Sequence, residues 1–218
     1  MSDHSSKRSD RNPSEEKQAG GTTRRTFLKS AGLVSASVAS LDVLHEVSDA
    51  QVASARARAV GPDKVAIKLR INGQVHALNI EPRATLAEVL RDELHMTGTK
   101  IVCDRGACSA CTVMLEKTLV CSCMTLAMDV GSRSVITIEG LAKGDDLHPM
   151  QAAFVAHDGL QCGFCTSGMV MSCAALLERN SSPTLTDVKT AISGNICRCG
   201  TYPKVFDAVF AASQNKGT

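Results

Sequence analysis

The stretch "CDRGACSAC", Cys103 to Cys111, places three thiols within nine residues. Its spacing, Cys103-x4-Cys108-x2-Cys111 followed by Cys123, is the plant-type arrangement of iron-sulfur ligands, in which a tight loop supplies three thiolates and a more distant strand supplies the fourth. Gly106 would let this loop adopt a positive φ, which frees backbone amides to donate to cluster sulfur. The sequence therefore predicts a 2Fe-2S cluster held by these four cysteines.

A second group of cysteines lies further along the chain, as Cys162-x2-Cys165 and Cys197-x-Cys199. Two short pairs joined by a long segment suit a second cluster, but they also suit a tetrahedral zinc ion, so spacing alone leaves both open. Zinc and disulfides are weaker alternatives for the first group, because it lacks paired Cys-x2-Cys arms and because its domain can build a core of its own.

Two of the ten cysteines, Cys121 and Cys173, belong to neither group. Cys121 neighbours Cys123 on a predicted strand, and we predict that its side chain points to the opposite face from that of Cys123. Cys173 lies among apolar residues of a predicted helix, and both cysteines are predicted to be buried small hydrophobic residues. None of the six histidines shows metal-ligand spacing, so we expect them in surface or packing roles.

Composition narrows the class of protein. The 218 residues are 44% apolar, which is enough to bury a core in one or two small domains. The formal net charge is only +2, and the chain has no Trp and a single Tyr. A basic nucleic-acid footprint and the aromatic platforms that stack bases are both missing, so we expect no nucleic-acid partner.

The middle of the chain has the pattern of a small α+β domain. Apolar residues alternate along residues 65–71, and Asn72-Gly73 then predicts a tight hairpin turn. Thr85 and Glu88 form a capping-box pattern at the start of a helix. The predicted strands cover residues 65–71, the segment that ends near residue 80, and residues 111–115, 119–123 and 134–138.

The remainder of the chain has helical patterns. The polar linker "LAKGDDLHP", Leu141 to Pro149, marks a predicted domain boundary. Thr184 and Asp187 form a second capping box. The predicted helices cover residues 150–157, 166–179, 184–193 and 202–213. We therefore predict two domains, residues 63–140 and 148–214, with the second group of cysteines at the joints between helices.

The first 55 residues have the character of an export leader. The stretch Met1 to Thr22 is polar and charge-mixed, which predicts disorder. The pair Arg24 and Arg25 then precedes a weakly apolar run that is too short to span a bilayer. This pattern predicts a twin-arginine export signal, no membrane span and a periplasmic location.

Four motifs, in order along the chain, carry a resemblance to a known family: "CDRGACSACTV", "CSCMTLAM", "HPMQAAFVAHDGLQCGFCTSG" and "GNICRCGTY". The chain resembles the iron-sulfur subunit of the xanthine dehydrogenase family of molybdenum hydroxylases, and its export signal is similar to that of the periplasmic aldehyde oxidoreductases. The resemblance implies an α+β fold with a plant-ferredoxin-like β-grasp domain followed by a four-helix bundle, and one 2Fe-2S cluster in each. The implied ligands are Cys103, Cys108, Cys111 and Cys123 for the first cluster, and Cys162, Cys165, Cys197 and Cys199 for the second.

The same resemblance implies a role in electron transfer. A molybdopterin cofactor on a large partner subunit would hydroxylate an aldehyde, and the electrons would pass one at a time through the second cluster, the first cluster and then FAD on a third subunit. The chain would have no catalytic residue of its own within a heterotrimer or a multiple of it. Gln161 matches the family's glutamine that hydrogen-bonds the pterin, and Cys199 matches the ligand whose sulfur approaches the pterin amino group.

Ser109 departs from the family's pattern, which usually has Gly at this position. If the position needs a positive φ, Ser costs on the order of 1 kcal/mol. This strain would loosen the loop between Cys108 and Cys111, and we expect the cluster to survive it.

Two other functions stay open from the sequence. The first group of cysteines alone would suit an independent ferredoxin-like electron carrier, and a zinc- or disulfide-stapled exported binding module would also use the thiols. The second group and Gln161 argue against the independent carrier. Export also bears on the choice, because cluster insertion needs the reduced cysteines of the cytosol and the twin-arginine route carries proteins that have already folded.

Overall fold

The computed structural model describes residues 61–214, and the predicted leader with its twin-arginine pattern lies outside them. The described residues belong to one compact unit. Within the described part, strands and short helices come first, and longer helices follow from residue 149. We call residues 61–140 the sheet half and residues 141–214 the helical half.

The sheet half is built on five strands: β1 (Val65–Ile71), β2 (Gln74–Ile80), β3 (Thr112–Leu115), β4 (Thr118–Cys121) and β5 (Ser134–Ile136). They form one sheet in the order β2-β1-β5-β3-β4, in which β1 and β5 run parallel and the other neighbours run antiparallel. Asn72 and Gly73 between β1 and β2 have positive φ angles of 50° and 81°, as a tight hairpin turn requires. The hairpin predicted from the sequence is therefore confirmed.

Strand β4 is shorter than the sequence predicts. The prediction that it continues to Cys123 is wrong, because Ser122–Met124 form a 3-10 turn. The N–H and the hydroxyl of Ser122 both donate to the carbonyl of Cys111, at 3.3 and 2.7 Å. A side chain bonded to the backbone in this way competes with strand pairing, so the ladder ends at Cys121.

Strand β5 also ends before the predicted Ile138. The Oδ1 atom of Asn72 accepts from the Thr137 N–H at 2.9 Å, and its Nδ2 donates to Thr137 Oγ1 at 3.0 Å. Residues Ile138–Gly140 then form a 3-10 turn. The predicted end is wrong because a contact from a turn 65 residues earlier, which alternation along the strand does not reveal, redirects the chain.

Short helices complete the core of the sheet half. Helix α1 (Leu86–Glu88) begins at the predicted capping box, in which the Glu88 N–H donates to Thr85 Oγ1 at 3.2 Å and the Thr85 N–H donates to the Glu88 carboxylate at 2.8 Å. It continues as a π-helical turn, Val89–Glu93. A second short helix, α2 (Ala127–Val130), is absent from the prediction. The core contains Leu69, Ile71, Ile80, Leu86, Val89, Leu90, Val113, Leu115, Ala127, Val130 and Val135.

The described residues of the helical half form four helices, each within one or two residues of its predicted ends: α3 (Pro149–Ala156), α4 (Thr166–Arg179), α5 (Leu185–Ala191) and α6 (Tyr202–Gln214). The capping box of Thr184 and Asp187 is confirmed. His148 caps α3, since its Nδ1 accepts from the Met150 N–H at 3.1 Å and its own N–H donates to Gln151 Oε1 at 2.9 Å. No helix in residues 61–214 is long and apolar enough to cross a membrane.

The two halves pack directly against each other. All four residues of β3 are buried. Val113 and Leu115 join the core of the sheet half, whereas Met114 packs with Met171 and Ala175 of α4. The strand is covered on both faces, which explains why its sequence does not alternate. The fold is mixed α/β, so the predicted class is confirmed at this level.

Candidate metal centres

The four predicted thiols of the sheet half lie in two pairs. The Cys108 side chain is close enough to that of Cys103 to lower the pKa of Cys103, and the Cys111 side chain is close enough to that of Cys123 to raise the pKa of Cys123. Cys103 also interacts electrostatically with Cys123, which links the pairs. Three of the thiols are buried, and Cys103 is half-buried. The structure therefore brings together all four residues that the sequence assigns to the first cluster.

Positive φ angles turn the loop that carries three of these thiols. They occur at Asp104 (52°), Gly106 (70°) and Ser109 (54°). A Cβ atom at Gly106 would lie 3.0 Å from the Met124 side chain, so both the angle and the space favour glycine there. The expected positive φ is present at both Gly106 and Ser109, and Ser109 carries the strain of a side chain in this region.

Backbone amides surround the sulfur of Cys103. The N–H groups of Arg105, Ala107 and Cys108 interact with it, and the Ala107 N–H lies 3.3 Å from Sγ. The Arg105 amide is the largest influence, and together with the Cys108 thiol it lowers the pKa of Cys103 to about 7. Amides that stabilise a thiolate will also donate to the sulfur of a bound cluster.

Cys123 shows the opposite balance. Burial raises its pKa to about 11, and the thiol and charge of Cys111 add to the rise, while the Gly106 N–H opposes it. An isolated thiolate is therefore unfavourable at this position. A bound metal removes the difficulty, because the cation itself stabilises the deprotonated sulfur.

The helical half places its four predicted thiols at the ends of helices. Cys162 lies in the turn after α3, Cys165 is the N-cap of α4, and Cys197 and Cys199 lie between α5 and α6. The Sγ atoms of Cys162 and Cys199 are 3.5 Å apart, and the Cys197 thiol is close enough to that of Cys165 to raise its pKa. Charge interactions between Cys162 and Cys165, and between Cys197 and Cys199, link the pairs. This quartet is also brought together as the sequence predicts.

Two polar side chains hold the segment around Cys197. The hydroxyl of Tyr202 accepts from the Cys197 N–H at 2.8 Å and donates to the Asn195 carbonyl at 3.0 Å, and the hydroxyl of Thr201 lies 3.3 Å from Cys197 Sγ. Burial disfavours the Cys197 thiolate, but the hydroxyl and amide of Thr201, together with the Cys165 thiol and the Gly200 amide, outweigh it and lower the pKa of Cys197 to about 7. Neither Thr201 nor Tyr202 is predicted from the sequence, although "GTY" directly after Cys199 is a signal that points to them.

The second quartet lies at the protein surface. Cys162 and Cys199 are exposed, whereas Cys165 and Cys197 are buried. Burial, followed by the neighbouring Cys197 thiol, raises the pKa of Cys165 to about 12. Gln161 directly precedes Cys162 and is exposed as well. One edge of this quartet is therefore open to a partner or a ligand.

The pairing of the thiols bears on what the two sites can hold. A 2Fe-2S cluster shares four thiolates between two irons, so thiols arranged as two linked pairs fit it. A zinc ion needs its four ligands about one point. Both quartets, as linked pairs of thiols, are therefore compatible with a two-iron cluster.

The two remaining cysteines differ from each other. Cys173 is buried in α4, where burial raises its pKa, and its predicted core position is confirmed. Cys121 is half-buried, and its thiol lies 3.8 Å from both the Gly106 carbonyl and the Ser109 hydroxyl. The prediction that Cys121 and Cys123 occupy opposite faces of one strand is wrong, because residues two apart on a strand share a face and because β4 ends at Cys121. None of the ten cysteines, which all lie within residues 61–214, forms a disulfide.

Comparisons with known proteins agree with this geometry. Residues 69–133 match the model of a 2Fe-2S iron-sulfur cluster binding domain, and residues 137–210 match that of a second 2Fe-2S binding domain. The aldehyde oxidoreductase iron-sulfur-binding subunit PaoA of Escherichia coli is 40% identical over 202 residues, which cover 86% of each chain. The chain belongs to the iron-sulfur subunits of the xanthine dehydrogenase family of molybdenum hydroxylases.

Other members of this family are similarly close. The nicotine 6-hydroxylase small subunit of Paenarthrobacter nicotinovorans is 45% identical over 150 residues, or 69% of this chain and 90% of that one. Quinoline 2-oxidoreductase from Pseudomonas putida 86 matches in structure with a TM-score of 0.68 and 38% identity, over 71% of this chain and 98% of that one. The aldehyde oxidoreductase of Desulfovibrio gigas matches with a TM-score of 0.66 and 36% identity, over 71% and 18%. As an iron-sulfur subunit of this family, the chain is part of an oxidoreductase complex.

Proposed function

We propose that this chain is the electron-transfer subunit of a molybdenum-dependent aldehyde oxidoreductase. The observation that carries the proposal is the arrangement of eight cysteines as two quartets within one compact unit. Each quartet would hold one 2Fe-2S cluster, which carries one electron at a time. The proposed ligands are Cys103, Cys108, Cys111 and Cys123 in the sheet half, and Cys162, Cys165, Cys197 and Cys199 in the helical half.

The exposure of the thiols supports a direction of electron flow. The helical quartet opens to the surface at Cys162 and Cys199, with Gln161 beside it. We assign this edge to the molybdopterin of the large subunit, with Gln161 donating or accepting a hydrogen bond at the pterin. The sheet-half quartet is reached from outside at Cys103, and it would pass electrons to FAD on a third subunit.

The clusters, when bound, supply the one-electron chemistry. The chain's own residues hold and tune them. The amides around Cys103 and the Gly106 N–H at Cys123 stabilise negative charge on sulfur, which favours the reduced state of a cluster. The Thr201 hydroxyl acts in the same way at Cys197.

The architecture of the two halves supports the finer description of the fold. We assign the sheet half to a plant-ferredoxin-like β-grasp domain, because a mixed five-stranded sheet packs against a short helix. The helical half is assigned to a four-helix bundle on its four helices. The proposed domain bounds are residues 63–140 and 148–214.

An aldehyde is the proposed class of substrate. The support is the aldehyde oxidoreductase in the name of the Escherichia coli relative, whose similarity extends over most of both chains. Other relatives share a similar percentage of identical residues with this chain, and their names describe enzymes that act on nicotine and quinoline. The choice of substrate is therefore assigned to the large subunit and not to this chain.

Single-turnover reduction of the purified complex tests the proposal. Anaerobic mixing with an aldehyde should reduce both clusters and the flavin in the wild type. The Cys108→Ser variant lacks a sheet-half ligand, so its flavin should stay oxidised while the helical-half cluster is still reduced. Cys121→Ser is the matched control, because Cys121 lies beside the same loop but belongs to neither quartet. Flavin reduction at the wild-type rate in Cys108→Ser would contradict the proposed route.

Export by the twin-arginine route to the periplasm is a further part of the proposal. It is supported by Arg24 and Arg25 in the leader, residues 1–55, and by the need of cluster assembly for reduced thiols. Replacing both arginines with lysine should leave this chain and the attached large subunit in the cytosol. Cell fractionation measures the outcome, and unchanged secretion would contradict the assignment.

A further inference from the structure

The loop from Cys103 to Cys111, which we call the sheet-half loop, contacts the helical half. Three consecutive carbonyls of this loop accept hydrogen bonds from helical-half donors. The bonds are Ile196 N–H to Cys108 O at 3.1 Å, Asn195 Nδ2 to Ser109 O at 3.1 Å, and Ser167 Oγ to Ala110 O at 3.3 Å. Their acceptors form the part of the loop between two proposed cluster ligands. We call these three bonds the loop clamp.

The donors of the loop clamp lie next to the other quartet. Ile196 directly precedes Cys197, and Asn195 lies one residue earlier. Ser167 lies two residues after Cys165, in the first turn of α4. One set of contacts therefore joins the segments that carry the thiols of both proposed clusters.

The backbones at the loop clamp are very close. A Cβ atom at Gly168 would lie 2.1 Å from the Ser109 carbonyl oxygen and 3.1 Å from the Ala110 Cα. At Gly194 it would lie 3.2 Å from Ser109 Oγ. Only glycine permits this approach of α4 to the loop, since any side chain at residue 168 would displace the backbone.

Burial makes the loop dependent on these donors. Cys108 and Ala110 are 8% and 3% exposed, and Asn195 is 3% exposed. A buried carbonyl that loses its donor keeps the cost of desolvation without compensation. The Ser109 carbonyl also accepts from the N–H and the hydroxyl of Thr112, at 3.3 and 2.7 Å, so it keeps partners in its own half. The Cys108 and Ala110 carbonyls have no other donor among the described contacts. Without the helical half, the loop would have to open toward water to satisfy these two carbonyls, and its thiols would move with it.

The Cys197 segment has more support from its own half. The contacts are reciprocal, because the Ile196 N–H and the Asn195 side chain also find their acceptors in the loop. The Cys197 segment, however, is held in addition by Tyr202 and Thr201, which belong to the same half. The Cys108 and Ala110 carbonyls have only donors from the other half among the described contacts. The sheet-half loop is therefore the side that depends more strongly on the contact.

We propose that Asn195 and Ser167 are positioning residues for the sheet-half cluster. They hold the loop from Cys108 to Ala110 in the shape that the cluster requires, so this cluster depends on the docked helical half more strongly than the helical-half cluster depends on the loop. The inference rests on the proposed function, since it takes each quartet to hold a cluster.

The test uses the purified complex with Asn195→Ala or Ser167→Ala. Paramagnetic resonance during a redox titration follows each cluster, and the sheet-half signal is the one that Cys108→Ser removes. Both variants should change the line shape and midpoint potential of the sheet-half cluster more than those of the helical-half cluster. Its iron should also pass to a chelator roughly fivefold faster, as the loss of one net hydrogen bond implies. Ser172→Ala, at another buried serine of α4, is the matched control and should behave as the wild type.

Two results would overturn the proposal that Asn195 and Ser167 position the sheet-half cluster. The first is that the signals of both clusters are unchanged in the variants. The second is that both signals change equally, as a general loss of stability would cause. If Asn195→Ala fails to assemble, Ser167→Ala decides, because it removes only one hydroxyl. If the wild-type complex itself lacks two cluster signals, the proposed function is refuted. If the wild type shows both signals and neither variant alters them, only the proposed positioning role of Asn195 and Ser167 is refuted.

Discussion

The sheet half and the helical half present their thiols in different ways. The sheet half carries three on one nine-residue loop that positive φ angles turn, and the helical half carries its four at the ends of helices. Tyr202 and Thr201 hold the helical thiols from within their own half, whereas the sheet-half loop takes three hydrogen bonds from the other half. The spacing of cysteines along the sequence is thus enough to predict which thiols come together. Tertiary contacts determine how rigidly the segments that carry the thiols are held.

The largest expected effect comes from removing one proposed ligand of the sheet half. In Cys108→Ser, the paramagnetic signal of the sheet-half cluster should vanish and that of the helical-half cluster should remain, because the helical thiols are supported by their own half. Iron per chain should fall to about half of the wild-type value. Loss of both signals would show that the helical half depends on the sheet half, contrary to the contacts described here.

A substitution at Tyr202 tests whether the helical half holds its own thiols. Tyr202→Phe leaves the Cys197 N–H and the Asn195 carbonyl without their shared partner, so the free energy of unfolding should fall by about 1–3 kcal/mol. Denaturant titration measures this loss, and the helical-half signal should change more than the sheet-half signal. The control is Ser213→Ala on the same helix, whose hydroxyl bonds only a local carbonyl. A helical-half signal identical to the wild type would be the contrary result.

The smallest expected effect comes from the strained position in the sheet-half loop. Ser109 has a φ of 54°, so Ser109→Gly should raise the free energy of unfolding by about 1 kcal/mol while both cluster signals persist. Gly106→Ala is the opposite change at a φ of 70° and should lower stability by a similar amount. Thermal or denaturant unfolding measures both. A destabilised Ser109→Gly variant would mean that the Ser109 hydroxyl contacts outweigh the strain.

The features predicted correctly from the sequence are those that depend on near neighbours. The hairpin at Asn72-Gly73 and the capping boxes at Thr85 and Thr184 need only residues a few positions apart. The same holds for the spacing of the thiols, since three of the first quartet share one loop. In such cases the chemistry of the local segment determines the structure.

The features that the sequence did not predict depend on distant partners. Strand β4 ends early because Ser122 binds the Cys111 carbonyl, 11 residues away. The loop clamp joins residues 57 and 86 positions apart, as in the bond of Asn195 to Ser109. Periodicity and spacing contain no information about which buried carbonyl meets which donor, so these contacts become visible only in the folded structure.

The most direct test of the account is the metal content of the wild-type complex purified under anaerobic conditions. Iron, acid-labile sulfide and paramagnetic spins per chain are measured on one sample before and after reduction. The account predicts about four iron and about four sulfide per chain, with two distinct 2Fe-2S signals on reduction. A colourless complex that contains zinc or no metal, or one with a single cluster signal, would contradict it.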